Sequence, residues 1–277
     1  MRMSALAHVR AGLRLAGACL PILVLLPIAL GLRAVSLVGG ERLRARCLKG
    51  GVACQTLWAR CVLFATGVEL CVEGPPPRMR CVVAANHLSY MDIAVLAHLF
   101  PGRFVAKQEI AGWPVFGLLS RSVATLFIER GRRRDVVRVG REMRATLEAG
   151  LSVLLFPEGG TSRGESVQRF HSALFESASA EGLPCLPVAV SYSTAQADPP
   201  AGAVVCWWGG APLPGHLWRC LGLERIRARV RWPAEPVRSL DRKELASRAQ
   251  EAVSGLFEPV EQAPEPEGGN RAPGAYA

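Results

Sequence analysis

The chain opens with an uncharged apolar stretch of 18 residues, Leu15 to Leu32. As a helix rising about 1.5 Å per residue it would be roughly 27 Å long, close to the thickness of a bilayer core. Pro21 and Pro27 lie inside it and would kink it. A second apolar segment, Val52 to Val72, is interrupted by Gln55, Arg60 and Glu69. Residues 1–73 therefore read as a membrane-anchoring helical hairpin, either spanning the bilayer or lying in one leaflet. Gly74-Pro75-Pro76-Pro77 is a hard break and marks the domain boundary. Beyond it, short apolar runs predict strands at Cys81–Ala85, Phe104–Ala106, Val123–Ile128, Ser152–Phe156, Leu186–Ser191, Val204–Trp208 and Ile226–Val230. Amphipathic segments predict helices at Ile93–Phe100, Arg134–Ala149 and Phe170–Ala180. Asp241 with Glu244 three residues on forms a capping-box pattern opening a last helix to about Phe257. Interleaved strands and helices predict one α/β domain over 74–257, with a mostly parallel or mixed central sheet flanked by helices. Residues 258–277, rich in Pro, Gly and Glu, predict a disordered tail.

Charge narrows the function. The net charge is +10, carried by 30 Arg and only 3 Lys. Residues 1–50 hold eight basic side chains and one acid, Glu41. The basic cluster straight after the apolar run argues against a cleaved export signal. Such a balance calls for an anionic partner: a membrane surface, a phosphate-bearing ligand or nucleic acid. Nucleic acid is set aside, because no zinc-finger spacing, heptad zipper or aromatic RNA-binding strand is present. Nine Cys, an odd count with no CxxC pair, exclude a disulfide framework and a structural zinc site and suit a reducing compartment. Arg132-Arg133-Arg134 with Arg138, Arg141 and Arg144 makes a basic helix that fits either an anionic partner or a solvated face beside Asp135 and Glu142.

Two constellations carry chemistry. Asn86-His87-Leu88-Ser89-Tyr90-Met91-Asp92 leaves a strand and enters a helix. A carboxylate five residues after a His can fix its tautomer and stabilise the charge it gains as a base. Asp92 near a helix start also suits the helix dipole. The second is Phe156-Pro157-Glu158-Gly159-Gly160-Thr161-Ser162-Arg163-Gly164. It puts a carboxylate and flexible backbone at the carboxyl edge of the sheet, where open α/β sheets bind ligands.

With these blocks in place the sequence resembles the 1-acylglycerol-3-phosphate acyltransferase family of glycerolipid acyltransferases. Four blocks stand in that family's order: Asn86-His87…Asp92, Phe127-Ile128-Glu129-Arg130, Phe156-Pro157-Glu158-Gly159 and Leu186-Pro187-Val188-Ala189-Val190. The resemblance implies transfer of a fatty acyl group from acyl-CoA or acyl carrier protein to a lysolipid hydroxyl, with 1-acyl-sn-glycerol-3-phosphate as the leading acceptor. It implies His87 as base, Asp92 as its orienter, and a headgroup site around Lys107, Arg130, Glu158, Gly159 and Arg163, with no metal and no cofactor. Because acyl thioesters are found in the cytosol and the Cys are unpaired, a bacterial plasma-membrane enzyme with its catalytic domain facing the cytoplasm is expected. Many members carry an Arg two places after the Glu-Gly pair. Here those places hold Gly160 and Thr161, and the nearest Arg is Arg163. Together with Phe170–Phe175, Trp207-Trp208-Gly209 and His216-Leu217-Trp218, this resembles the lyso-ornithine lipid O-acyltransferase branch, whose acceptor has no phosphate.

Two other readings stay open on sequence. Gly160-Thr161-Ser162-Arg163-Gly164 fits the Gly-x-Ser-x-Gly elbow of serine hydrolases, with Ser162 as nucleophile. The same fold could also serve as a non-catalytic lipid-binding membrane protein.

Overall fold

The computed structural model describes residues 3–74, 79–129 and 133–263. Its helices are α1 (Ala5–Val38), α2 (Glu41–Thr66), α3 (Met91–Leu99), α4 (Pro114–Ser122), α5 (Arg133–Glu148), α6 (Glu176–Ala180), α7 (Ala201–Val204), α8 (Leu213–Leu221) and α9 (Arg242–Leu256). Its strands are β1 (Val68–Glu73), β2 (Val82–Ala85), β3 (Gly102–Lys107), β4 (Leu126–Ile128), β5 (Ser152–Leu155), β6 (Cys185–Thr194) and β7 (Ile226–Arg231). They form one sheet in the order β1-β7-β6-β2-β5-β3-β4. The β6–β7 pair is antiparallel and every other pair is parallel.

Alternation along the central strands assigns the two faces. Val83, Ala85, Leu154, Leu186, Val188 and Val190 pack under α2, α3, α7 and α8. Val82, Ala84, Val153, Leu155, Cys185 and Ala189 pack under α5, α6 and α9. Both faces are covered, which is why these parallel strands read as continuous apolar runs rather than alternating ones.

The N-terminal hairpin forms, but its second arm differs from expectation. α1, with Pro21 and Pro27 inside it, leaves most of its apolar side chains exposed and is long and apolar enough to cross a membrane. Its contact with α2 relies on small residues: a Cβ at Gly17 would lie 2.8 Å from Ala65 Cβ, and one at Gly50 2.8 Å from Leu32 Cδ1. α2, by contrast, belongs to the catalytic domain. Its Ala59, Val62 and Leu63 are in the core, Gln55 donates to Gly102 O at 3.0 Å, and Thr56 donates to Ala97 O at 3.1 Å. α2 stops at Gly67, whose φ of 68° closes the helix with a left-handed cap. The next six residues are β1, paired in register with β7. A boundary at 73/74 thus cuts a sheet strand away from its sheet.

Three further expectations are corrected. Val204–Trp208 is not a strand; Val205 and Cys206 are buried after the short α7, Trp207 N donates to Leu88 O at 2.8 Å, and Gly209 and Gly210 turn the chain at φ 66° and 73°. Phe170–Ala180 is broken into a 3₁₀ turn and α6, because His171 N is drawn to Pro157 O and Phe170 N to Gln250 Oε1. The tail's first residues are ordered: Val260 is buried, its N–H donates to Gly164 O at 2.7 Å, and Glu261 O accepts from Gly202 N at 2.9 Å. Glu258 pairs with Arg229 and Arg231 on β7. Residues 258–262 therefore form a strap across the sheet's carboxyl edge; the tail beyond 263 lies outside the described residues. The last helix is capped by Asp241 as expected, but Glu244 accepts from Ser239 Oγ instead of completing the box.

Candidate active site

The register places the predicted residues along one edge. Ala84 is level with Leu155, and Leu154 with Phe104. His87 and Glu158 follow Ala84 and Leu155 by three residues and so leave β2 and β5 level with each other, with Lys107 at the end of β3 one residue out of step. That height is the carboxyl edge of the parallel strands.

His87 and Asp92 meet as the spacing predicts. His87 Nδ1 lies 2.7 Å from Asp92 Oδ2, with the imidazole partly exposed and the carboxylate fully buried. The loop between them turns back so that Leu88 N and Ser89 N also donate to Oδ2, at 2.7 and 2.9 Å. The fourth partner was not legible in the motif: Tyr192 Oη donates to Oδ1 at 2.6 Å from β6. Burial, and then the Asp92 charge, hold the Tyr192 hydroxyl far above the usual tyrosine range, so it remains a donor. Four donors fix the carboxylate, and an ionised carboxylate can only accept. Facing an acceptor, Nδ1 is the donor of the pair, and Nε2 is the ring nitrogen left outside it. The ring is held from its face by Phe156, stacked at 3.9 Å between centroids.

Asn86 has a supporting part. Its Nδ2 donates to Val190 O at 2.9 Å and its Oδ1 accepts from Val190 N at 2.8 Å. This pair ties the start of the catalytic loop to β6. The period-two pattern of β6 puts Val188, Val190 and Tyr192 on one face, which is the signal that could have located Tyr192.

Glu158 is buried, 7% exposed. Its Oε1 accepts from Gln168 N at 3.1 Å, and its Oε2 is buried without a hydrogen-bond partner. Loss of hydration pushes its pKa up to about 8, against the weaker pull of nearby backbone N–H groups and with a further push from Asp92. At neutral pH the group is largely a neutral acid. Gly159 turns the loop at φ 76°, a conformation that favours glycine. Ser162 N then donates to His87 O at 3.0 Å, bringing the third block against the first. Ser162 Oγ is buried with no hydrogen-bond partner, so it makes no bond to the imidazole. A serine nucleophile needs that bond, and the hydrolase reading fails on it.

Arg163 is drawn aside, with its guanidinium 4.6 Å from the Trp208 ring centroid and 3.4 Å from Glu165. Lys107 is exposed at the end of β3. Arg130 lies outside the described residues. Behind the loop, Tyr90 Oη lies 3.2 Å from His216 Nδ1, and His216 Nε2 lies 3.1 Å from Cys206 O. Burial keeps His216 below the usual histidine range, as suits a neutral structural imidazole.

A His–Asp pair thus stands at the carboxyl edge of the sheet beside the Gly159 turn, and comparison with known proteins gives the class of the protein. The profile of the Acyltransferase family matches residues 70–191. The chain is 38% identical over 198 residues to the lyso-ornithine lipid O-acyltransferase of Pseudomonas aeruginosa, covering 71% of this chain and 75% of that protein. It is 35% identical over 201 residues to the 1-acyl-sn-glycerol-3-phosphate acyltransferase of Neisseria meningitidis serogroup B, covering 71% and 78%. A crystal structure of the 1-acyl-sn-glycerophosphate acyltransferase of Thermotoga maritima shares the fold, with a TM-score of 0.52 at 20% identity over 86% of this chain and 97% of that one. The protein is an acyltransferase acting on lysolipids. It belongs to the 1-acylglycerol-3-phosphate acyltransferase family of glycerolipid-acylating enzymes. Membership also sets aside the non-catalytic reading.

Proposed function

We propose that the enzyme transfers a fatty acyl group from a thioester, acyl-CoA or acyl carrier protein, to the free hydroxyl of 1-acyl-sn-glycerol-3-phosphate. The observation that carries the mechanism is the four-donor cage around Asp92, which leaves His87 Nε2 as the acceptor. The lysolipid hydroxyl gives its proton to Nε2 while its oxygen attacks the thioester carbonyl. The new C–O bond forms, the C–S bond breaks, and the imidazolium returns the proton to the departing sulfur. Asp92 stabilises the transient imidazolium. Lys107 and the Glu158-Gly159 turn form the headgroup side. The donor is a substrate, and this chemistry calls on no metal or cofactor. A base of this kind contributes roughly 10²–10⁴ in rate.

One observation favours a second acceptor. Arg163 is the nearest arginine to the third block, and its guanidinium is engaged by Trp208 and Glu165. An acceptor without a phosphate, lyso-ornithine lipid, would not need it.

We further propose that α1 lies in the plane of one leaflet. Arg10 donates to Gly222 O at 3.0 Å and Arg14 to Leu223 O at 2.5 Å, while at the other end Leu30 and Arg33 line a cavity of the domain. A helix of 34 residues, about 51 Å long, that touches one domain at both ends cannot cross a bilayer of about 30 Å beside it. With acyl thioesters in the cytoplasm, that leaflet is the cytoplasmic face of a bacterial plasma membrane.

The test is turnover of purified protein in mixed micelles on each acceptor, for wild type and His87→Ala. Loss of at least 10²-fold in the variant supports the base mechanism; retained activity overturns it. Turnover on lyso-ornithine lipid alone moves the acceptor. For the anchor, Ser4→Cys and Ser36→Cys should react with a membrane-impermeant thiol reagent from the same side, whereas opposite sides mean a spanning helix.

A further inference from the structure

A second site lies away from the dyad. β4 is the edge strand, three strands from β2. Against that edge is a cavity of about 560 Å³, within the range of small-molecule sites. Four guanidinium groups line it: Arg33 from α1, Arg103 from β3, Arg121 from α4 and Arg138 from α5.

Two of the four hold the wall together. Arg103 donates to Ala124 O at 2.6 Å, Thr146 Oγ1 at 3.2 Å and Glu142 Oε2 at 3.0 Å. Arg138 donates to Glu142 Oε1 at 2.9 Å and to the free edge of β4 at Phe127 O, 2.8 Å. Arg138 is also 3.3 Å from Asp135. The other two have no carboxylate partner among the described residues. Arg33 meets only Ser36 Oγ, at 3.5 Å, and Arg121 only the carbonyl of Ala111. The positive charge of Arg33 and Arg138 reaches Arg103, whose proton affinity is lowered by burial first and by these two cations after it. The cavity thus carries an excess of positive charge that the protein itself does not neutralise.

Exposed apolar side chains stand on the two helices that bring Leu30 and Arg121 to the cavity. Leu30 of α1 lines it, and α4 exposes Val115, Phe116 and Leu118 after Trp113, all more than 40% accessible. The exposed Arg42, Arg44, Arg46 and Lys49 of α2 follow the hairpin turn at this same end of α1. A soluble anion would need the charge but not these apolar side chains; a lipid needs both.

We infer that this cavity binds the phosphate headgroup of an anionic glycerophospholipid, with the acyl chains laid along α1 and the exposed face of α4. The cavity lies at the β4 edge, three strands from the β2 that carries the dyad, and fixes how deep and at what angle the domain sits on an anionic leaflet. The inference rests on the in-plane placement of α1 but not on the His87 mechanism, and lipid binding is read independently of turnover.

The experiment is a binding titration of full-length protein in neutral detergent with short-chain phosphatidylglycerol, followed by native mass spectrometry and thermal shift. Phosphatidylcholine is the uncharged control, and inorganic phosphate and coenzyme A are the soluble-anion arms. Arg33→Gln/Arg121→Gln removes the two uncommitted cations and leaves the structural pair intact. Saturable phosphatidylglycerol binding should weaken about 30-fold in the double variant, with turnover of a water-soluble short-chain acceptor unchanged. Equal binding of phosphatidylcholine, or equal binding of phosphatidylglycerol by the double variant, overturns the site. Binding of phosphate or coenzyme A at the same cations, without the lipid, overturns the lipid as occupant.

Discussion

Glu158→Gln should change the pH dependence of stability more than any other single substitution in the active-site loop. The folded state raises this carboxyl from 4.5 to about 8 by burying it. Between those values the folded protein binds the proton more tightly than the unfolded chain does. The contribution is therefore fully present below pH 4.5 and is lost as pH rises through about 8. At about 1.4 kcal/mol per unit, the window is worth on the order of 4–5 kcal/mol. Gln168 N can still donate to the amide oxygen of glutamine, and the amide does not titrate in this range. The assay is denaturant unfolding of the detergent-solubilised full chain at several pH values from 5 to 8.5, taken as wild type minus variant so that every other titrating group cancels. The variant should gain on wild type steadily as pH rises, by several kcal/mol in all. A difference that stays flat across this range would refute the argument that Glu158 is held neutral by burial.

Other outcomes follow from the same geometry. Asp92→Asn should cut kcat by two to four orders of magnitude, because an amide no longer holds the Nδ1 proton as a carboxylate does; steady-state kinetics at saturating acceptor checks it. Tyr192→Phe removes the 2.6 Å bond to Asp92 Oδ1 and should cost about 1.5–3 kcal/mol of stability, with a shifted acidic limb in the pH–rate profile. An unchanged profile would leave Tyr192 with a packing role alone. Gly164→Ala meets a φ of 80° and puts a Cβ 2.8 Å from Val260 Cγ2, so stability, read from thermal melting, should fall by about 1–3 kcal/mol and proteolysis within 258–263 should quicken.

The dyad was legible because both members lie within six residues of chain and the loop between them is too short to hold them apart. The position of Glu158 was legible because it follows an apolar run that reads as a buried strand, whereas Lys107 came only with the family resemblance. Tyr192 and the Asn86–Val190 pair lie about a hundred residues apart in sequence, and only sheet order brings them together. β1 was lost for a local reason: Val68-Glu69-Leu70-Cys71-Val72 continues the apolar character of α2, and the stop is a single residue, Gly67. The strap was lost because composition averages over the tail, while Val260 and Glu258 act individually.

That strap also sets an order of events. Residues 258–262 hold Gly164 and Arg163 in place: Val260 N donates to Gly164 O at 2.7 Å and Gln262 Nε2 to Arg163 O at 3.0 Å. In N-to-C order they leave the ribosome after all the described strands, whereas α1 leaves before those strands. A chain folding as it is synthesised therefore presents its long apolar helix before the loop beside His87 is fastened. An unfinished chain can thus expose α1 while Arg163 and Gly164 still lack the strap that holds them.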